Sequence, residues 1–348
     1  EMLAAPLAKI VGAKLSEVSV MNTLTVNLHF LMVSFYRPTA TRYKILCEEK
    51  AFPSDQYMFQ SQVKFHGLDP TLAIVEIAKR PGEDFWRKED LLAAIDEHGD
   101  SLALVLMGGV NYYNGQVFPM QEITSAAKEK GAYVGWDLAH AAGNVPLDLH
   151  NWGVDFASWC SYKYLNSGPG NAAAIYIHEQ YLNRTDLPRF EGWWGSDKDL
   201  RFKMQTSFVP MSNADAWQVS NAPILAMAPF LASLEIFNKV GMEALWSKQK
   251  LLVGFLEHIL KEVSQASPFE IRVITPKERG SQLSVYFAKH GRTIFDSLMA
   301  EGFVTDWREP NVMRFAPVPL YTTFEDIYRL GLMLERSIKN ALNDLNLK

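Results

Sequence analysis

Through its first two thirds the chain alternates short runs of aliphatic, β-branched and aromatic residues with helix-length mixtures of polar and apolar ones. No other feature restricts the fold as strongly. Residues 43–47, 72–77, 101–107, 132–136, 156–160 and 172–177 read as strands, and 54–65, 87–97 and 120–130 read as helices lying between several of them. Strands joined through helices run parallel, so the pattern predicts a largely parallel sheet with helices on both faces. In such a sheet ligands bind at the carboxyl ends of the strands. After Pro223 the texture changes. Long helical stretches over 224–240 and 242–263 precede strands near 270–274, 282–287 and 312–315, a helix near 293–301 and a final helix from Phe324. The expected architecture is α/β: a large domain over residues 1–235 and a smaller C-terminal α+β domain over 236–348.

Composition narrows what such a chain can do. At 348 residues it has room for two cores, and its 48% hydrophobic and 21% charged residues are those of a globular protein. A net charge of -5 provides no broad positive field for nucleic acid, which points to a small-molecule ligand. Cys47 and Cys160 are the only cysteines, which argues against a disulfide framework or a Cys-rich zinc site and fits a reducing cytoplasm. No apolar run is long enough to span a membrane. The sequence opens at Glu1 and enters a helix-like stretch over 2–15 that does not resemble a signal peptide. Without an initiator methionine, further upstream sequence is expected.

Two strand ends carry the chemistry. Ala132-Tyr-Val-Gly-Trp-Asp137 is an apolar strand ending in an acid and continuing as Leu138-Ala139-His140. Ser158-Trp-Cys-Ser-Tyr-Lys163 is another, ending in a lysine and followed by the glycine-rich bend Asn166-Ser-Gly-Pro-Gly170. Taken singly, Asp137 reads equally as a turn residue and Lys163 as a solvated charge. Taken together they supply what pyridoxal 5'-phosphate requires, a carboxylate for its ring nitrogen and an amine for its aldehyde. A phosphate cradle is available in Met21-Asn-Thr-Leu-Thr25, where a strand-like run turns into a helix whose first N–H groups are unclaimed, although an ordinary helix cap has the same look. Arg314, between Met313 and Phe315, needs an anion. Either a structural acid or a substrate carboxylate would serve.

Six stretches resemble the kynureninase family in order and spacing: Met21-Asn-Thr-Leu-Thr-Val-Asn-Leu-His29, Lys50-Ala-Phe-Pro-Ser-Asp55, Asp137-Leu-Ala-His-Ala141, Trp152-Gly-Val-Asp-Phe-Ala-Ser-Trp-Cys-Ser-Tyr-Lys-Tyr-Leu-Asn166, Ser220-Asn-Ala-Pro-Ile224 and Arg314-Phe-Ala-Pro-Val-Pro-Leu-Tyr321. The resemblance implies a fold-type I pyridoxal-phosphate enzyme that hydrolyses kynurenine or 3-hydroxykynurenine in tryptophan catabolism and NAD biosynthesis. It further implies that Leu24 and Thr25 contact the cofactor phosphate, that Phe52 lies against the pyridine ring, and that Asp55, Asp137, His140, Tyr162 and Lys163 line the cofactor site. Lys163 would carry the cofactor and Tyr162 would relay protons. Trp193 and Asn221 would reach the site across a homodimer interface, and Arg314 would bind the substrate carboxylate.

Two departures from the family pattern accompany the resemblance. Gly108 stands where the family has a cofactor-touching serine, and the sequence shows no counterpart of the family's N-terminal Gly-Asn-Ser-Leu-Gly segment, which helps build the substrate pocket. Residues 111–113, Asn-Tyr-Tyr, are candidates for that pocket. The rival readings are an aminotransferase, a cysteine desulfurase or a cofactor-binding protein without catalysis. The desulfurase needs a mobile nucleophilic cysteine, and both cysteines precede Lys163 in strand-like surroundings.

Overall fold

A computed structural model describes residues 2–343. The chain divides into two compact units. Among the described residues, the first comprises 2–81, Trp86–Val110 and Phe118–Lys239, and the second Gly82–Phe85, Asn111–Val117 and 240–343.

The first unit is built on seven strands: β1 (Val18–Val20), β2 (Lys44–Glu48), β3 (Ile74–Ile77), β4 (Leu102–Gly108), β5 (Tyr133–Asp137), β6 (Phe156–Cys160) and β7 (Ala173–Ile177). They form one sheet in the order β1-β7-β6-β5-β4-β2-β3. Pairings from β6 through to β3 are parallel, and β7 runs antiparallel to both β6 and β1. Reversal of β7 alone leaves β1 pointing the same way as the other five, so six carboxyl ends share one edge. The central strands are apolar along their whole length, as Leu-Ala-Leu-Val-Leu-Met in β4 shows, because both faces of a parallel sheet are covered.

Phe35, Phe156, Tyr181 and Trp217 belong to the core on one side of this sheet. Gly135 in β5 faces Phe156 in β6, and a Cβ at Gly135 would stand 2.2 Å from the Phe156 ring. Only glycine lets that ring close over the neighbouring strand at this register. The expected strand over 72–77 starts later, at Ile74, because Asp69 caps a single helical turn, Pro70–Ala73, with Pro70 at its first position. The helix-like opening stretch is helical only over Ala4–Val11, where Gly12 takes the left-handed conformation.

The second unit contains a four-stranded antiparallel sheet, β8 (Ile271–Val273), β9 (Leu283–Phe287), β10 (Asp306–Arg308) and β11 (Val312–Phe315), in the order β10-β11-β9-β8. Residues of the helices Met242–Ala266, Gly291–Ala300 and Phe324–Asn343 complete its apolar core with Leu283, Val285, Met313 and Phe315. Sequence reading anticipated every strand here except β10, whose three residues Asp-Trp-Arg carry no apolar alternation. Among the described residues no single helix is long and apolar enough to cross a membrane.

Candidate active site

The common carboxyl edge of the parallel strands gathers most of the candidate residues of the first unit. Glu48 ends β2 and leads into Phe52 and Asp55, Gly108 ends β4, and Asp137 ends β5 just before His140. Tyr162 and Lys163 follow β6, and the helix Leu24–Phe35 begins just beyond β1. β5 and β6 are neighbours, with Asp137 opposite Ser158, so the acid and the lysine emerge side by side. The Lys163 amine lies 3.1 Å from His140 Nε2 and 5.7 Å from the centre of the half-exposed Phe52 ring.

Three carboxyl groups meet behind that amine. Asp137 is buried, and its Oδ1 accepts the Ala139 N–H at 2.7 Å. Burial raises its pKa, while the positive charge of Lys163 and a hydrogen bond from Asp55 pull it down. Asp55 is pushed well above the usual carboxylate range, first by burial and then by the charge of Asp137. Both carboxyls are held above the usual carboxylate range, with burial the first cause in each. Asp55 Oδ1 is buried without a hydrogen-bond partner.

Sequence reading gave Glu48 no role. It is fully buried, accepts the Gly108 N–H at 3.3 Å, and is raised to about 8 by burial above all, with the charge of Asp137 adding to it. The available signal was an acid closing an apolar strand, the same signal that marked Asp137.

The helix Leu24–Phe35 starts without a side-chain cap from Thr23, so the N–H groups of its first turn point outward uncapped by the chain's own hydroxyls. Leu24 and Thr25 are the first two residues of that turn and are partly buried. Tyr162 is partly exposed, and its hydroxyl interacts with buried Cys160. Burial is the main reason its pKa is pushed up to about 12, so it holds its proton at neutral pH. Trp193 packs edge-to-face on Phe202 with ring centres 5.7 Å apart, and both Trp193 and Asn221 are exposed.

In the second unit Arg314 on β11 stands directly across from Asp306 on β10, and the two form an ion pair. Its Nη1 also donates to the Tyr112 carbonyl at 2.5 Å. Residues 111–113 belong to this unit, where Ser284 Oγ donates to the Tyr113 carbonyl and Gln282 to that of Tyr112. The structural acid that the sequence left open as a partner for Arg314 is therefore present, and it is Asp306.

The model of the kynureninase C-terminal domain matches residues 246–334. Kynureninase from Flavobacterium johnsoniae is 60% identical over 341 residues, covering 97% of this chain and 80% of that protein. Kynureninase from Nematostella vectensis is 50% identical over 350 residues, covering 97% and 75%. The chain belongs to the kynureninase family.

Solved structures carry the fold comparison. A cystine C-S lyase in complex with its product, cysteine persulfide, matches with a TM-score of 0.81 at 18% identity, covering 96% of this chain and 85% of that one. An apo cysteine desulfurase from Thermococcus onnurineus NA1 matches with a TM-score of 0.79 at 16% identity, covering 97% and 83%. A variant of the lyase holds glycine covalently linked to its PLP cofactor. The chain shares the fold of these proteins, one of which holds pyridoxal phosphate.

The residues present suit that cofactor. A buried Asp137 carboxyl beside Asp55, whose Oδ1 is buried without a hydrogen-bond partner, suits a cationic ring nitrogen. An uncapped helix start matches a phosphate. At Gly108 a Cβ would lie 3.2 Å from Glu48 Oε1, so a kynureninase with serine here would place a side chain against this acid, whereas the present chain offers it only the backbone N–H.

Proposed function

We propose that this kynureninase carries its cofactor on Lys163 and uses the neighbouring side chains to cleave the Cβ–Cγ bond of L-kynurenine or its 3-hydroxy derivative, releasing alanine and anthranilate or 3-hydroxyanthranilate. The observation that carries the assignment is the pairing, on adjacent strand ends, of the Lys163 amine with the buried Asp137 carboxylate. When bound, the cofactor supplies an electron-withdrawing ring that accepts the charge left on the substrate carbons.

Each side chain then has a definable task. Asp137 would hold the ring nitrogen's proton, and Asp55, pushed above the usual carboxylate range beside it, would hydrogen-bond Asp137 and keep it oriented. The N–H groups at the start of the helix Leu24–Phe35, with the Thr25 hydroxyl, would hold the phosphate. Phe52 would present an apolar face to the ring. Lys163 Nζ, freed by the substrate's own amine, would take the proton from the substrate Cα, with His140 Nε2 at 3.1 Å steering it. Tyr162, protonated at neutral pH, would act as a proton donor rather than a base. Arg314 would receive the α-carboxylate through its fork of N–H groups.

We further infer that the active form is a homodimer, in which Trp193 and Asn221 reach the cofactor of a second copy. Their exposure, and that of Leu225 at 90%, supports the reading. The desulfurases of the same fold do not supply a rival activity, since a desulfurase needs a mobile thiol and both cysteines here are buried within or beside strands.

The test is Lys163→Ala. The variant is expected to lose both the absorption band of covalently held cofactor and the fluorescence of released anthranilate. Kynurenine turnover surviving at wild-type rate would remove Lys163 from the mechanism.

A further inference from the structure

We propose that Asp306 is a positioning residue for substrate recognition: it locks the Arg314 guanidinium in the orientation that receives an α-carboxylate, and Arg308 supplies the charge that keeps the site attractive to a second anion. The proposal rests on the reading of Arg314 as the carboxylate receptor.

The argument begins with the register of a strand pair. Asp306 and Arg314 are direct cross-strand partners, so the ion pair is fixed by backbone hydrogen bonding rather than by a chance meeting of long side chains. Arg314 is held at both ends of its fork. Nη2 meets Asp306 Oδ2, and Nη1 meets the Tyr112 carbonyl at 2.5 Å. Two acceptors on two terminal nitrogens define the plane of a rigid guanidinium, and a pre-set plane spares an incoming carboxylate the entropy of ordering it.

Charge count supplies the second half. Arg308 Nη2 reaches the same Asp306 oxygen at 3.0 Å, so two cations share one anion and the trio keeps a net positive charge. A simple Arg–Asp pair would be neutral and would repel a second carboxylate from its acid. The side chain of Arg314 is only 10% exposed while that of Asp306 is 43% exposed, so the receptor is desolvated and its clamp lies toward water. Neither Asp306 nor Arg308 carries a motif signal, since β10 does not read as a strand.

The experiment compares Arg314→Ala, Asp306→Ala and Asp306→Asn by steady-state kinetics with kynurenine, and by cofactor absorbance changes on titration with an unreactive α-amino acid and with its amide. Asp306→Ala is expected to raise KM and the amino-acid dissociation constant about tenfold, with kcat within about twofold and amide binding unchanged. Asp306→Asn, which keeps an acceptor opposite Arg314, is expected to recover most of the loss. A wild-type or lowered KM in Asp306→Ala, a fall in kcat as large as the rise in KM, or an equal loss for acid and amide overturns the proposal. If Arg314→Ala itself leaves KM unchanged, the carboxylate-receptor reading falls and this proposal with it. If Arg314→Ala raises KM while Asp306→Ala does not, only the role of Asp306 is lost.

Discussion

Glu48, Asp55 and Asp137 place three carboxyl groups out of water behind a single amine, and folding has to suppress charge there. Glu48 shows the consequence most directly, because its pKa rises from 4.5 to about 8 on burial. Below the unfolded value the group is neutral in both states. Between 4.5 and about 8 the unfolded chain releases the proton and the folded chain keeps it, so stability falls as pH rises through that window and levels off above it. The slope from one such group is about 1.4 kcal/mol per pH unit. Glu48→Gln, an isostere without the titration, is therefore expected to flatten the decline. Thermal midpoints of the cofactor-free protein at pH 5 and pH 8 should differ less in the variant than in the wild type, and equal differences would exclude Glu48 as the source.

At this scale the sequence was informative where two unlike groups would answer one chemical need, as Asp137 and Lys163 would on neighbouring strand ends. It was silent where a residue acts on another residue. Glu48 touches Gly108 and Asp306 touches Arg314, and in both cases the partner lies some sixty or eight residues away along the chain, with meaning only after the strands pair.

Among the elements, β5 and β6 carry the proposed site, and their packing depends on the missing side chain of Gly135. Gly135→Ala would force the Phe156 ring out of a position 2.2 Å from the new Cβ. The expected cost is about 1–3 kcal/mol, read as a lower denaturant midpoint. Because Gly135 lies two residues before Asp137 on the same strand, cofactor retention on dialysis should weaken as well. An unchanged midpoint would show that the ring relocates freely. Long apolar strands such as β4 were legible because burial on both faces writes a continuous apolar run, and the helix Ile224–Val240 because its length exceeds any strand. β10 was not, because its three residues carry no apolar alternation and its identity depends on β11 beside it.

For the molecule as a whole, the exposed apolar side chains around residue 225 carry the oligomeric prediction. Ile224 is 77% and Leu225 90% exposed at the start of one helix, and Phe202 is 80% exposed beside Trp193. A chain that leaves such residues bare is expected to cover them with a second copy. Light scattering at micromolar concentration should give twice the chain mass, and Leu225→Asp should halve it and weaken cofactor retention. A monomeric wild type that retains full activity would end the homodimer reading.

The α/β class followed from the alternation of the first two thirds of the chain. What alternation could not convey is that Gly82–Phe85 and Asn111–Val117 belong with the C-terminal residues. That membership bears on how the protein is made. A ribosome releases the Tyr112 carbonyl early, yet its partner Arg314 is translated some two hundred residues later. The second unit thus cannot be grafted onto another protein as a single stretch of gene beginning at Val240. Such a transplant would leave behind the loop that holds its arginine in place.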